Sequence, residues 1–191
     1  MCGCALNGLG HDAPLQGIEE LAKESLGRCN AVLAAHCGLP AEALERACED
    51  DFARLSAEES PPFPGVIELC RHICAGGGKN VIVTHRGRRS TMELLAVHGM
   101  AGYFAGCITR DDGYPRKPDP AAFVAALAAY ELQPEETLTV GDRDIDILAG
   151  QAAGLWGCFY GAEPDGARPD LVIGSFAELH RCLMGGGAIE G

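Results

Sequence analysis

Five short apolar runs punctuate this 191-residue chain, at residues 80–84, 107–109, 137–141, 155–160 and 171–173. Val81-Ile82-Val83 and Leu171-Val172-Ile173 present no polar face. Runs of this length read as strands covered on both sides, the condition of a parallel sheet. Between and around them lie helical patterns at residues 66–73, 90–97, 118–132, 145–153 and 176–183, several closed by glycine, as at Gly76-Gly77-Gly78, Gly99 and Gly154. The alternation predicts an α/β fold, a Rossmann-like parallel sheet with helices on both faces.

The first third of the chain carries no strand signal. Residues 10–55 read as two amphipathic helices. Ile18, Leu21, Ala22, Cys29, Val32, Leu33 and His36 share one helical stripe, and Leu44, Ala47, Cys48, Phe52 and Leu55 share a second beyond Gly38 and Pro40. Ser60-Pro61-Pro62-Phe63-Pro64-Gly65 reads as a linker. The net charge of −12 argues against nucleic-acid and anionic-membrane partners, so an anionic ligand needs a local basic patch or a metal ion. No apolar run is long enough to span a bilayer. Met1-Cys2-Gly3-Cys4-Ala5-Leu6 lacks a secretory n-region, and most of the ten cysteines sit on apolar faces, among them Cys29, Cys48, Cys70 and Cys74. They read as reduced core thiols of a cytoplasmic protein. Neither Cys2/Cys4 nor Cys70/Cys74 has a second ligand pair at zinc spacing.

In a parallel α/β sheet, ligands bind beyond the carboxyl ends of the strands. One strand ends in Thr84-His85-Arg86, the next is followed by Arg116-Lys117-Pro118-Asp119-Pro120, and the third ends in Gly141-Asp142-Arg143-Asp144-Ile145-Asp146. A hydroxyl, an ammonium and a carboxylate cluster at one sheet edge suit phosphoryl transfer, which needs positioning and charge neutralisation. Asp142 and Asp146 suit Mg2+, a hard cation that takes carboxylates and water. Each residue alone has a plainer role. Thr84 can simply end a strand, Lys117 can lie on the surface at a helix start, and Asp142 and Asp146 can complement a helix dipole. Asp144 reads as such a solvent-facing acid, while His85 and Arg86 either touch substrate or line their loop.

Taken in order, these segments resemble the haloacid dehalogenase-like (HAD) superfamily, in its phosphoglycolate-phosphatase-like group. Val81-Ile82-Val83-Thr84 is similar to the family's second motif, Lys117-Pro118-Asp119-Pro120 to the third and Gly141-Asp142-Arg143-Asp144-Ile145-Asp146 to the fourth. The helical stretch before Pro61 resembles the family's small cap. The resemblance implies domains at 1–60 (a truncated helical cap), 61–184 (the α/β core) and 185–191 (a loose tail). It implies a magnesium-dependent phosphatase of a small phosphorylated metabolite, acting through an aspartyl-phosphate. Thr84 and Lys117 would act in catalysis, Thr84, His85, Arg86 and Lys117 in substrate binding, and Asp142 with Asp146 in metal binding. The first motif, an Asp-x-Asp-Gly-Thr that supplies the nucleophile and the acid/base, has no counterpart in residues 1–10, and Asp12 lies in a loop before Ala13-Pro14. The expectation is therefore a sheet without its first central strand, in an N-terminally shortened and inactive copy of a phosphatase. The alternative is a non-catalytic phosphate-ligand-binding or regulatory relative. A receiver-type signalling domain fits the Gly-Asp-x-x-x-Asp pattern less well, and the oligomeric state is left open.

Overall fold

The computed structural model describes residue 10, residues 26–54 and residues 57–185. The early part of the first helical stripe (Ile18, Leu21, Ala22), the Cys2/Cys4 pair, Asp12 and the tail beyond residue 185 lie outside these residues.

Helices α1 (Leu26–Cys37) and α2 (Ala41–Arg54) pack together. Cys29, Leu33 and Ala34 of α1 meet Leu44 and Cys48 of α2 in a small apolar core of their own. The turn between them needs a left-handed residue, which Gly38 supplies at φ 65°. Leu39 N then closes back on Ala34 O at 2.9 Å.

Beyond the proline-rich turn, helix and strand alternate: α3 (Val66–Ala75), β1 (Asn80–Val83), α4 (Arg88–Val97), β2 (Phe104–Ile108), α5 (Ala121–Tyr130), β3 (Leu138–Gly141), α6 (Asp144–Ala152), β4 (Trp156–Tyr160), β5 (Leu171–Ile173) and α7 (Phe176–Gly185). All strand pairs are parallel. Helices cover both faces, as the two-sided apolar runs require. In β4, Cys158 packs with Leu69 of α3 and Leu179 of α7, while the next residue, Phe159, packs with Ile147 of α6. Helix α6 lies close to β3 because Gly150 has no side chain; a Cβ there would fall 2.3 Å from Thr139 Cγ2. No helix among the described residues is long and apolar enough to cross a membrane.

Several boundaries depart from the sequence expectation, most clearly those of β2, α5 and α7. Strand β2 begins at Phe104, ahead of the expected Cys107. Its Ala105-Gly106 step is a weak strand former, but Gly106 leaves room for Tyr130, because a Cβ there would lie 2.1 Å from the Tyr130 hydroxyl and force that ring to shift. The helix expected over 118–132 spans Ala121–Tyr130, since Pro120 sits at its N-cap and Glu131 turns left-handed at φ 53°. Helix α7 runs on to Gly185.

The strands form two sheets, β1-β2 and β3-β4-β5. Among the described residues no strand lies between β1 and β3. A cleft of about 670 Å³ occupies that position, lined by Val81 and Val83 on one side and Leu138, Thr139 and Val140 on the other. The fold agrees with an α/β sheet that lacks a strand at its centre.

Candidate active site

The carboxyl ends of β1 and β3 open into a second cavity, of about 690 Å³. Thr84, His85, Arg86, Lys117, Asp142 and Asp146 all line it, so the candidate residues from three separate segments are brought together.

Local hydrogen bonds explain how each is held. Thr84 N donates to Ile108 O at 2.9 Å, extending the β1–β2 ladder. Its hydroxyl accepts from Arg86 N at 3.1 Å, which curls the loop around the strand end. His85 Nε2 accepts from the backbone N–H of Lys117 at 3.1 Å and so ties this loop to the lysine's own segment. Lys117 Nζ donates to Val83 O at 3.2 Å and forms an ion pair with Asp146 Oδ1. The pair is nearly dry, with side chains 7% and 10% exposed. Arg143 Nε stands 3.7 Å from the other oxygen, Asp146 Oδ2. A close approach of β3 to the first turn of α6 makes this possible, because a Cβ on Gly141 would lie 2.4 Å from Asp146 Cβ.

Asp142 occupies the turn between β3 and α6. Burial, and next the neighbouring Asp146 charge, raise its pKa above the ordinary carboxylate value, against the pull of Arg143 and Lys117. Crowded, desolvated carboxylates are a donor set that a divalent cation relieves, and oxygen donors suit a hard one. Among the described residues no group of three or more His, Cys, Asp or Glu side chains is placed to hold a metal ion, and the carboxylates that line this cavity are the two of Asp142 and Asp146. That number fits Mg2+, which keeps several waters and takes one or two carboxylates.

Four further cations line the cavity to which the sequence reading gave no role: Arg46 from α2, and Arg110, Arg116 and Arg143 from the loops. Together with Arg86 and Lys117 they face two aspartates, in a chain whose net charge is −12. The lining is thus a basic enclave in an acidic molecule. Position next to Lys117 is the signal for Arg116, and i,i+3 spacing to Asp146 is the signal for Arg143. Nothing distinguishes Arg46 from a solvated helix-face arginine.

Two sequence readings need correction. Asp144 does not face solvent: it is half-buried, and its Oδ2 accepts from Gly166 N at 3.1 Å, fastening the loop after β4. Cys74 is exposed rather than core, while Cys29, Cys48, Cys70, Cys107 and Cys158 are buried.

The profile of the haloacid dehalogenase-like hydrolases matches residues 14–154. The chain belongs to that family. A phosphoglycolate phosphatase of Caulobacter vibrioides is 30% identical over 174 residues, 88% of this chain and 72% of that protein. One of Vibrio vulnificus is 34% identical over 137 residues, 68% of this chain and 60% of its own length, so the chain spans less than two thirds of that relative. Among solved structures, a hydrolase from Streptococcus pneumoniae is 26% identical with a TM-score of 0.57, covering 96% of this chain and 87% of that one. A HAD-superfamily hydrolase from Ehrlichia chaffeensis, at 19% identity and a TM-score of 0.67, covers 96% and 85% and is a likeness of fold. In this HAD chain the cavity at the strand ends is the place to look for chemistry.

Proposed function

We propose that the cavity binds a small phosphorylated metabolite together with Mg2+ and serves phosphomonoester hydrolysis. The carrying observation is the convergence of Thr84, Lys117, Asp142 and Asp146 on one cavity with a cationic lining. Thr84 donates its hydroxyl proton to a phosphoryl oxygen, its own oxygen being held by Arg86 N. Lys117 supplies a fixed positive charge whose direction is set by Val83 O and Asp146. His85 and Arg86 form the rim that meets the phosphoryl group. Held by Asp142 with Asp146, Mg2+ supplies charge neutralisation and orientation of the phosphoryl oxygens. We assign residues 61–184 to the α/β core, 1–60 to the cap side and 185–191 to a tail. The thiols at Cys70, Cys107, Cys158 and Cys182, none in a disulfide, support a cytoplasmic setting.

Phosphoglycolate, named for several relatives, is a candidate substrate. It has a carboxylate as well as a phosphate, and the cavity has more cations than one phosphoryl group uses. Arg46, reaching in from α2, is the natural partner of the second anion.

A second reading has its own support. An aspartyl-phosphate needs a nucleophilic carboxylate besides the metal-binding pair. Among the described residues, Asp142 and Asp146 are the acidic side chains that line the cavity. That favours ligand binding with little or no turnover in this chain, the behaviour of an inactive copy or a regulatory relative. Calorimetric titration with inorganic phosphate and with phosphoglycolate, with and without Mg2+, tests the shared core of both readings. Magnesium-dependent binding, weakened at least tenfold by Lys117→Met, is expected. Absence of binding by both ligands sinks both readings. Phosphate release that Asp142→Asn abolishes would favour the first over the second.

A further inference from the structure

Two histidines meet away from the cavity at the strand ends. His72 lies in the last turn of α3 and His180 in α7, and their rings stand with centroids 4.8 Å apart and planes tilted by 51°. Neither lines the basic cavity or the cleft between the two sheets. The helices that carry them are fixed at this level by the core beneath. Leu69, one turn before His72, and Leu179, next to His180, are buried together with Cys158 of β4 and Ile173 of β5. Rigid elements therefore present the two rings to each other.

The spacing is one that two imidazoles take up around a single ion. With metal–nitrogen bonds of about 2.0–2.1 Å and a ring radius of about 1.2 Å, the centroids of two ligands stand about 4.5 Å apart at a right angle and about 5.3 Å apart at the tetrahedral angle. The observed 4.8 Å falls between these values. A second observation points the same way: His180 Nε2 is buried and has no hydrogen-bond partner among the described residues. Buried polar atoms are seldom left so, and a neutral imidazole nitrogen is the commonest metal ligand. Both rings are half-buried, which leaves access for an ion and for waters in its shell. The carbonyl end of α3, beside His72, adds partial negative charge. Glu68, one turn before His72, adds a full charge on the same side of that helix. Among the described residues no third His, Cys, Asp or Glu side chain is placed to complete the set. The protein's share is thus two nitrogens, which makes the site an exchangeable one.

We propose that His72 and His180 form a binding site for one borderline divalent transition-metal ion, of the Ni2+ or Zn2+ kind, which clamps α3 to α7. Nitrogen donors select such ions over Mg2+, the reverse of the preference of Asp142 and Asp146. The two sites therefore sort metals by donor type. The inference does not rest on the phosphoryl reading, and its readout is binding rather than turnover.

The test is calorimetric titration of the 191-residue protein with Ni2+ in excess Mg2+, after exposed thiols have been blocked with iodoacetamide. One saturable equivalent is expected, together with a rise in melting temperature. His180→Gln should weaken that binding at least tenfold. His72→Phe keeps an aromatic ring against His180 and removes the ligand. It should lose the Ni2+-induced rise while its metal-free melting temperature stays within about 2 °C of the parent's. In the parent, Ni2+ should also slow carbethoxylation of His72 by diethylpyrocarbonate, read by mass spectrometry of tryptic peptides. Three results overturn the proposal: no saturable binding of Ni2+, binding by both histidine variants as tight as the parent's, or a His72→Phe protein that keeps the full Ni2+-induced rise.

Discussion

Replacing Lys117 by methionine removes the ammonium from a nearly dry ion pair while keeping most of the side chain's volume. What remains is Asp146, with a side chain 10% exposed, and Val83 O, which loses the donor 3.2 Å away. Breaking a buried pair by deleting one partner costs about 3–5 kcal/mol, most of it the uncompensated charge left behind. Here Arg143 Nε remains 3.7 Å from Asp146 Oδ2 and is itself only 22% exposed, which draws the expectation to the lower end, about 3 kcal/mol. For a domain of this size each kcal/mol shifts the melting temperature by about 2–4 °C, so a fall of roughly 6–12 °C is expected. Urea titration followed by circular dichroism measures the free energy, and calorimetry the temperature. The double variant Lys117→Met with Asp146→Leu should recover at least half of the loss, because an apolar pair in the same space leaves no orphaned charge. A loss below about 1 kcal/mol for Lys117→Met, or a double variant no more stable than the single, would show that water reaches this pair and that the account of the site's interior is wrong.

Asp142 makes a pH prediction. Its raised pKa means the folded protein holds a proton that the unfolded chain has released, so stability falls as pH rises from the unfolded value, near 3.8, through the folded one. Asp142→Asn should then be more stable than the parent at neutral pH without metal and should lose the Mg2+-induced rise in melting temperature; a parent that melts identically across that window refutes the assignment. Cysteine chemistry should split by location: Cys74, exposed, reacts with iodoacetamide in the native state, while Cys158 and Cys70, pushed up to about 12 and about 11 by burial, stay unlabelled until urea is added. Mass spectrometry of tryptic peptides reads this directly, and native labelling of Cys158 would contradict its place between α3 and α7. Gly106→Ala should destabilise by about 1–3 kcal/mol through the clash with the Tyr130 hydroxyl, with Gly106→Ala in a Tyr130→Phe background costing measurably less.

The parallel sheet was legible in local apolar runs such as Val81-Ile82-Val83 and Leu171-Val172-Ile173, and the strand-end segments in the polar residues that follow the strands, as at Thr84-His85-Arg86 and Gly141-Asp142. What escaped was set by distant neighbours. Phe104-Ala105-Gly106 has little strand propensity and pairs only because β1 offers its edge and Tyr130 leaves no room for a side chain. Arg46 and Arg110 look like solvated charges in sequence, and only the tertiary arrangement turns them toward the cavity. Asp144 has the local signature of a helix-dipole acid, yet its partner Gly166 lies 22 residues away. The expected gap in the sheet came from the family resemblance, whose first motif has no counterpart in residues 1–10, and among the described residues β1 and β3 lie in separate sheets.

The contact between Gly150 and Thr139 carries a lesson about how this core can change over generations. The methyl of Thr139 occupies the space where a side chain at position 150 would begin. The two positions therefore share one allotment of volume, and relatives should vary at them together: alanine at the helix position accompanied by glycine, alanine or serine on the strand, and never by valine or isoleucine. The order of change is also set. The strand residue must shrink before the helix residue grows, since the reverse order passes through an intermediate with two groups in one place.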